Sequence, residues 1–194
     1  MRVCKFGVEL NSLGEEDMTA VFHWRNQKEI VRFMVHQDPI TWEEHRAWFE
    51  GLNVFSQYLM IQWQGRKIGV FNIKNIDWKK RSGEAGIFIG DPDFRNTYVP
   101  MLAILGMMDV CFNTLGFHFL EARVRKDNPE ILRMNQDLGY RIDGEDPLSY
   151  FLKVGVMAYH EQRKVFQSFL EKFNQDEEVL ELSDEESAFF LPVK

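Results

Sequence analysis

The sequence predicts a mixed α/β domain: a mostly antiparallel, twisted sheet with helices on both faces and a βαβ unit at its centre. Short apolar runs typical of strands alternate with longer segments of helical period. Strand pairs joined by tight turns, such as Gln64-Gly65-Arg66, indicate antiparallel hairpins. The 194 residues fit one domain with a sizeable core. We assign residues 1–160 to this domain and residues 161–194 to a C-terminal helix and an acidic tail.

In the N-terminal half, the helix signal is clearest after Ile40. Thr41 and Glu44 form a capping box, and Gly51 marks the end of the helix. An earlier helix opens at a run of acids that favour the positive end of the helix dipole. The predicted elements of this half are a strand at 3–10, helices from 15 and around 30–34, the helix 41–51, and strands 57–63, 67–75 and 83–90.

In the C-terminal half, a helix at 99–113 is apolar nearly all round, so we expect it to pack between the sheet and other elements. Asn128-Pro129 is a cap with proline at the first helical position, and that helix stops at Gly139. We expect the tail to be mobile up to residues 188–194, whose aromatic pair docks either on the body or on a partner. The other predicted elements are strands at 118–124, 140–142 and 150–156 and a helix at 157–173.

Charge and cysteine content exclude several classes of function. The formal net charge is -7, but seven acids against Lys194 follow Asn174, so the tail carries -6 and the rest -1. This balance argues against an electrostatic nucleic-acid binder. Cys4 and Cys111 stand far apart and indicate free thiols in a reducing compartment. The longest apolar run is too short to span a bilayer and no targeting segment is evident, so we expect a cytoplasmic protein without a membrane partner.

The stretch EAGIFIGDPDFRN, followed by LGFHFLEARVRKDNPEILRMNQDLGYR, resembles the GCN5-related N-acetyltransferase (GNAT) superfamily. The resemblance covers residues 1 to about 160, and residues 128–140 fit the superfamily's second motif closely. WRNQKEIVRFM and ITWEEHRAWFEGL are similar to the opening of acetyltransferases that act on nucleotide-linked aminosugars. Acetyltransferases of ribosomal-protein N-termini share a looser version.

The resemblance implies transfer of an acetyl group from acetyl-CoA to a primary amine of a small molecule, without a covalent enzyme intermediate. It also allows a homodimer. In the superfamily two parallel strands part, and the pantetheine arm pairs with the main chain of the first strand, while the pyrophosphate lies over the following loop and helix start. The cofactor-binding residues implied are Ile87, Phe88, Ile89, Arg95, Asn96, Thr97, Tyr98, Val99, Asn128 and Asn135.

The phosphate loop departs from the superfamily pattern, because Tyr98 and Pro100 stand where glycines are usual. A tyrosine forced into the left-handed region costs about 1–2 kcal/mol, and proline removes one N–H donor. One lost charge-assisted hydrogen bond, about 1.5–3 kcal/mol, weakens binding by about one to two orders of magnitude. The loop is therefore either a working site, in which the Asn96 and Thr97 side chains donate, or a degenerate loop that serves packing.

For catalysis, the resemblance points to Glu84 as the base that takes the proton of the amine. The alternative is a strand-edge carboxylate paired with Lys80 or Arg81. Many superfamily members have a tyrosine acid where Asn135 stands, and an amide cannot act as that acid. Asn135 therefore either hydrogen-bonds the cofactor or is structural.

Three residues of the N-terminal half are candidates for the acceptor pocket: Trp24, Arg25 and His45. Arg25 could equally pair within the chain, and His45 could equally be a satisfied core histidine. The histidines are isolated in sequence, so no metal site is predicted. A catalytically silent binding module and a peptide N-terminal acetyltransferase are the competing hypotheses.

Overall fold

The computed structural model describes residues 1–34, 36–173 and 178–190. In these ranges nine strands form one sheet, in the order β7-β8-β6-β5-β4-β3-β2-β1-β9. The strands are β1 (Arg2–Lys5), β2 (Val8–Ser12), β3 (Gln57–Trp63), β4 (Arg66–Asp77), β5 (Ser82–Ile89), β6 (Phe119–Arg125), β7 (Arg141–Glu145), β8 (Ser149–Gly155) and β9 (Val179–Glu181).

Helices cover both faces of the sheet. On one face, Val21 of the first helix packs with Met60 and Val70; on the other, Leu102 and Leu105 of a long central helix lie in the main core. The helices are α1 (Met18–Arg25), α2 (Lys28–Val31), α3 (Trp42–Glu50), α4 (Val99–Asp109), α5 (Pro129–Asp137), α6 (Val156–Val165), α7 (Gln167–Leu170) and α8 (Asp184–Phe190). Short 3₁₀ turns span Glu15–Asp17, Pro92–Phe94 and Glu171–Phe173, and a π-helical turn spans Val110–Thr114.

The β3–β4 hairpin confirms the turn predicted at Gly65. Gln64 and Gly65 have φ values of 51° and 78°, which suit a two-residue hairpin loop. Further along, Ile61 pairs with Gly69 and Gln62 with Lys67, so that Ile68 is one extra residue in β4. This bulge reverses the alternation of side chains along β4.

The centre of the sheet contains the predicted βαβ unit, β5–α4–β6. The parallel pairing of β5 with β6 ends after Glu84, which lies opposite Glu121. Residues 85–89 of β5 then pair with β4 alone, while the rest of β6 pairs with β8. The two parallel strands therefore part and leave an opening, which we call the gap. The predicted fold class is confirmed, and the two parallel strands part as the resemblance to the superfamily implies.

At the N-terminus, the single strand predicted for residues 3–10 is wrong. The chain turns back at Phe6 and Gly7, whose φ values are 55° and 74°, and Lys5 pairs with Val8. Apolar alternation continues across the turn, so periodicity alone does not show it. A glycine that can adopt positive φ is the local signal for this hairpin.

The acidic tail is also more ordered than predicted. β9 pairs with β1 along Val179–Glu181, and Ser183 and Glu186 cap α8 reciprocally, with Glu186 N donating to Ser183 Oγ (3.2 Å) and Ser183 N to Glu186 Oε2 (2.9 Å). The ring of Phe189 lies 5.7 Å from that of Phe55. The predicted mobility is therefore wrong for residues 178–187, whereas the contact of Phe189 with Phe55 agrees with docking on the body, one of the two predicted alternatives. Residues 174–177, the Phe190 side chain and residues 191–194 lie outside the described part.

The predicted helix at 157–173 is interrupted. α6 ends at Val165, α7 spans Gln167–Leu170, and a 3₁₀ turn follows at Glu171–Phe173. Phe166 forms the junction as C-cap of α6 and N-cap of α7. The interruption turns Phe169 and Phe173 toward the start of α4, where both lie close to Tyr98.

Candidate active site

The gap presents the main chain of β5. The side chains of Ile87 and Ile89 pack against the main core, while that of Phe88 packs against the Val21 cluster on the other face. At Gly86 a Cβ would lie 2.9 Å from Asn72 Oδ1, so the lack of a side chain lets the Asn72 side chain of β4 lie close to the main chain of β5. Unpaired strand backbone is a template for an extended ligand, and it lies where the sequence places Ile87, Phe88 and Ile89.

Arg95 clamps the end of β5. Its Nε donates to the carbonyl O of Ile89 at 3.1 Å, and its Nη2 donates to the carbonyl O of Gly90 at 3.0 Å and to the side chain of Gln27. The guanidinium therefore ties the strand end to the N-cap of α2. Nη1 has no acceptor among the described residues, so the predicted phosphate contact of Arg95 stays a prediction that depends on that nitrogen.

Tyr98 does not adopt the left-handed conformation that the missing glycine suggested. It is the N-cap of α4 with φ −77° and ψ −14°, in the right-handed region. The cost of a left-handed tyrosine therefore does not arise, because α4 starts directly at Val99 and needs no glycine before it. The Tyr98 ring packs on Trp63 of β3 at 6.2 Å between ring centres. Since β3 lies beyond β4, on the side away from β6, the ring does not fill the gap.

The loop before α4 keeps two free N–H donors. Val99 N donates to Thr97 Oγ1 at 3.3 Å, the Thr97 hydroxyl donates to Phe94 O at 2.9 Å, and Pro100 has no N–H. The N–H groups of Asn96 and Tyr98 have no acceptor in the described ranges. The predicted side-chain donor Thr97 is therefore occupied, whereas Asn96 is exposed. Two free N–H groups beside the positive end of α4 suit an anion.

The acids that precede this loop are neutralised. Arg66 Nε lies 2.6 Å from Asp91, and Arg66 Nη2 lies 2.8 Å from Asp93. Both carboxylates therefore have a cationic partner, which reduces their repulsion of an anionic ligand at the loop.

Glu84 lies at the apex of the gap, as the last residue of β5 that pairs with β6. Its Oε1 is 3.0 Å from Lys74 Nζ, and its Oε2 accepts from Asn75 Nδ2 at 3.2 Å. The predicted alternative pairing with Lys80 or Arg81 is wrong, because the antiparallel register places Lys74 opposite Glu84. The side chain keeps 22% exposure and is thus accessible to a substrate or a water.

A shallow cavity of about 230 Å³ adjoins Glu84. Sequence reasoning missed two carboxylates there, Glu121 and Asp143. Alternation in FLEARVR places Glu121 on one face, but its position beside Glu84 follows from the parallel register, which the sequence does not show. Arg123 in this cavity is 2.6 Å from Asp146, Glu84 pairs with Lys74, and Glu121 lies 3.8 Å from Lys153 Nζ. Within the described residues, Asp143 is the lining carboxylate without an ion pair. The lining residues are Glu84, Glu121, Ala122, Arg123, Asp143, Phe151 and Leu152.

Asn128 and Asn135 both engage α5. Asn128 Oδ1 accepts from Ile131 N at 3.4 Å, which confirms the predicted N-cap. Asn135 is buried and its Nδ2 donates to the Ile131 carbonyl at 2.8 Å. The amide nitrogen of Asn135 is therefore used within its own helix, and its Oδ1 is the atom left for a donor. Their contacts with a cofactor stay predictions.

Trp24 and Arg25 are the last two residues of α1, and Trp24 borders the end of β5 at Gly90. A Cβ at Gly90 would lie 2.0 Å from the Trp24 ring, so this close packing requires glycine. Arg25 is half-buried, and its burial lowers the pKa of its guanidinium, an effect that the nearby Tyr58 opposes. Over the described ranges no carboxylate lies within ion-pair distance of Arg25. An unpaired, partly desolvated cation is a candidate anion-binding group.

His45 is a satisfied core histidine, the alternative that the sequence left open. It is 1% exposed, its Nε2 lies 3.0 Å from the Met18 carbonyl, and its ring stacks on Trp48 at 5.1 Å. Burial lowers the pKa of His45, and the Met18 bond only partly offsets this effect. In the neutral ring Nε2 carries the proton that it donates to Met18. Direct contact of His45 with an acceptor stays a prediction.

Cys4 and Cys111 are not joined by a disulfide, and burial raises the pKa of Cys111 to about 12, which makes its thiol unreactive. Within the described ranges, no group of three or more His, Cys, Asp or Glu residues could hold a metal ion. No helix in that part of the chain is long and apolar enough to cross a membrane.

These features define a class of protein: an α/β fold whose central parallel strands part beside a helix N-terminus, with a carboxylate at the apex. The family described as Acetyltransferase (GNAT) domain matches residues 8–141. The chain therefore belongs to the GNAT family of acetyltransferases, which act on amines.

Relatives and solved structures agree with this assignment. Acetyltransferase PseH of Campylobacter jejuni is 30% identical over 146 residues, 74% of this chain and 87% of that protein. Spermidine N(1)-acetyltransferase of Escherichia coli is 22% identical over 153 residues, 75% of this chain and 78% of that protein. The crystal structure of spermidine N-acetyltransferase from Vibrio cholerae, in complex with CoA and spermine, has a TM-score of 0.72 at 17% identity and covers 79% of this chain and 98% of that one.

Proposed function

We propose that the protein transfers an acetyl group from acetyl-CoA to the primary amine of a small, anionic acceptor of the nucleotide-linked aminosugar type. The observation that carries this proposal is the gap between β5 and β6 with Glu84 at its apex. The main chain of residues 86–89 would hold the pantetheine arm along the gap. The free N–H groups of Asn96 and Tyr98 would hold the diphosphate at the start of α4.

Acetyl-CoA, when bound, supplies the activated acyl carbon. Glu84 accepts the proton that the acceptor ammonium must lose before the amine can attack. Lys74 and Asn75 hold the two carboxylate oxygens of Glu84, which fixes the orientation of the side chain. The amide of Asn135 is not acidic enough to protonate the leaving thiolate. We assign Asn135 the role of orienting the cofactor through a hydrogen bond that its Oδ1 accepts.

Arg25 supports an anionic acceptor. It is a half-buried cation without a carboxylate partner among the described residues, so an acceptor phosphate would supply the missing counter-charge. The likeness of the N-terminal half to enzymes of nucleotide-linked aminosugars points the same way. Trp24 would border this side of the acceptor pocket.

A polyamine is the second candidate acceptor, and a specific observation favours it. Glu84, Glu121 and Asp143 line one cavity, and such a cavity attracts a polycation. Two of the relatives named above are spermidine acetyltransferases. The two candidates differ in which residue dominates recognition, Arg25 or the carboxylates.

An assay of thiol release from acetyl-CoA separates these candidates. We expect the highest kcat/KM with a UDP-linked amino-deoxysugar and lower values with spermidine and peptides. Arg25→Gln should raise the acceptor KM by about tenfold or more, the value of one lost charge-assisted contact. Arg46→Gln, which removes an exposed cation paired with Glu50, is the matched control and should have no effect.

The outcomes are distinguishable. A preference for spermidine, lost in Glu121→Gln rather than in Arg25→Gln, would support the polyamine. A preference for peptides would support N-terminal acetylation. Absence of thiol release with all amines, together with no rise in melting temperature on adding acetyl-CoA, would leave a silent binding module.

A further inference from the structure

A cluster of four aromatic rings, Trp63, Tyr98, Phe169 and Phe173, joins the C-terminal helical segment to the loop before α4. We propose that Tyr98 is a positioning residue for cosubstrate binding, held in place by Phe169 and Phe173. This inference rests on the proposed function, since it concerns how the loop that would hold the diphosphate is kept in shape. It gives the segment 167–173, beyond the family match that ends at residue 141, a role in the acetyl-CoA site.

The main chain of Tyr98 is part of the first turn of α4. The carbonyl O of Tyr98 accepts from Met101 N at 3.1 Å and from Leu102 N at 3.2 Å. Tyr98 is thus the residue from which the helix starts, and its own N–H is one of the two free donors of the loop. Any shift of Tyr98 therefore moves a phosphate donor and the helix end together.

The ring itself is fixed from three sides. Its centre lies 5.1 Å from that of Phe173, 6.2 Å from that of Phe169 and 6.2 Å from that of Trp63. These distances and tilted or edge-on orientations are those at which aromatic pairs attract. The hydroxyl of Tyr98 has no hydrogen-bond partner among the described residues, so the ring alone makes these contacts.

The other end of the loop is held by Arg95, which donates to the carbonyls of Ile89 and Gly90. The four residues from Arg95 to Tyr98 therefore run between a guanidinium clamp and an aromatic anchor. In a glycine-rich loop the shape depends on glycines that can adopt positive φ, whereas in this loop side-chain contacts hold the shape. The tyrosine that departs from the superfamily pattern is, on this account, part of a different solution to the same task.

Calorimetric titration of the full-length protein with CoA tests this inference. We expect Tyr98→Ala to raise the Kd for CoA by about tenfold, with the acceptor KM unchanged, and Tyr98→Phe to stay near wild type because it keeps the ring. Phe173→Ala should weaken binding in the same direction, and the double variant should be no weaker than Tyr98→Ala. Tyr98→Gly, which restores the usual residue, should weaken binding too.

Phe55→Ala is the matched control, since Phe55 and Tyr98 are both 48% exposed and both contact an aromatic ring of the C-terminal region. Its CoA affinity should equal that of wild type. Unchanged Kd in Tyr98→Ala, tighter binding in Tyr98→Gly, or an equal loss in Phe55→Ala overturns this inference while leaving the proposed function intact. Absence of CoA uptake by wild type overturns both.

Discussion

Glu84→Gln separates a catalytic role of this carboxylate from a structural one. Removal of a general base lowers the rate by about 10²–10⁴-fold, so we expect kcat/KM to fall at least about 100-fold. The structural cost should be small. Glu84 and Lys74 keep 22% and 37% exposure, and a solvent-accessible ion pair contributes about 0–1 kcal/mol to the free energy of unfolding. Gln can still accept from Asn75.

The assay is steady-state thiol release with saturating acetyl-CoA, alongside urea unfolding of each variant. Glu121→Gln is the matched control, because Glu121 lies opposite Glu84 in the parallel register and lines the same cavity. We expect it to change the rate with an aminosugar acceptor by a small factor. If Glu84→Gln and Glu121→Gln reduce activity equally, or if Glu84→Gln stays active, Glu84 is not the base.

The remaining predictions concern stability. Asp109→Asn should lower the free energy of unfolding by about 3 kcal/mol, because it leaves a largely buried Arg163 without its counter-charge and weakens the bond that the Tyr159 hydroxyl donates at 2.7 Å. Asp127→Asn removes an exposed carboxylate that pairs with Arg125, and it should cost much less in the same urea titration. Burial lowers the pKa of His45 from its ordinary value of 6.5, so the unfolded chain binds its proton first and stability should decline as pH falls below 6.5. In His45→Gln this part of the decline should disappear, and an unchanged pH dependence would refute the assignment.

Local signals in the sequence were reliable where one segment determines its own structure. The capping box of Thr41 and Glu44 is present as predicted, and the two-residue turn at Gly65 follows from its local geometry. The N-terminal hairpin was missed because apolar alternation runs through Gly7. β9 was missed because three residues among acids give no strand signal, and its order comes from pairing with β1, which is far away in sequence.

The candidate site depended more on register and on neighbouring elements. The sequence placed Glu84 at the right strand, but its partner Lys74 follows from the antiparallel pairing with β4. The conformation of Tyr98 was left open by the sequence because it depends on where α4 starts and on two rings contributed by residues 169 and 173. Arg25 lacks a carboxylate partner among the described residues, which a sequence cannot show, since pairing is a property of the folded surface.

The central claim is that the gap beside β5 receives the thioester arm. Hydrogen exchange measured with and without saturating CoA tests it directly, because bound main-chain N–H groups exchange more slowly. We predict slower exchange at residues 86–89 and at Asn96 and Tyr98, with β9 unchanged. Slower exchange elsewhere, with no change along β5 while calorimetry shows that CoA is bound, would contradict the claim.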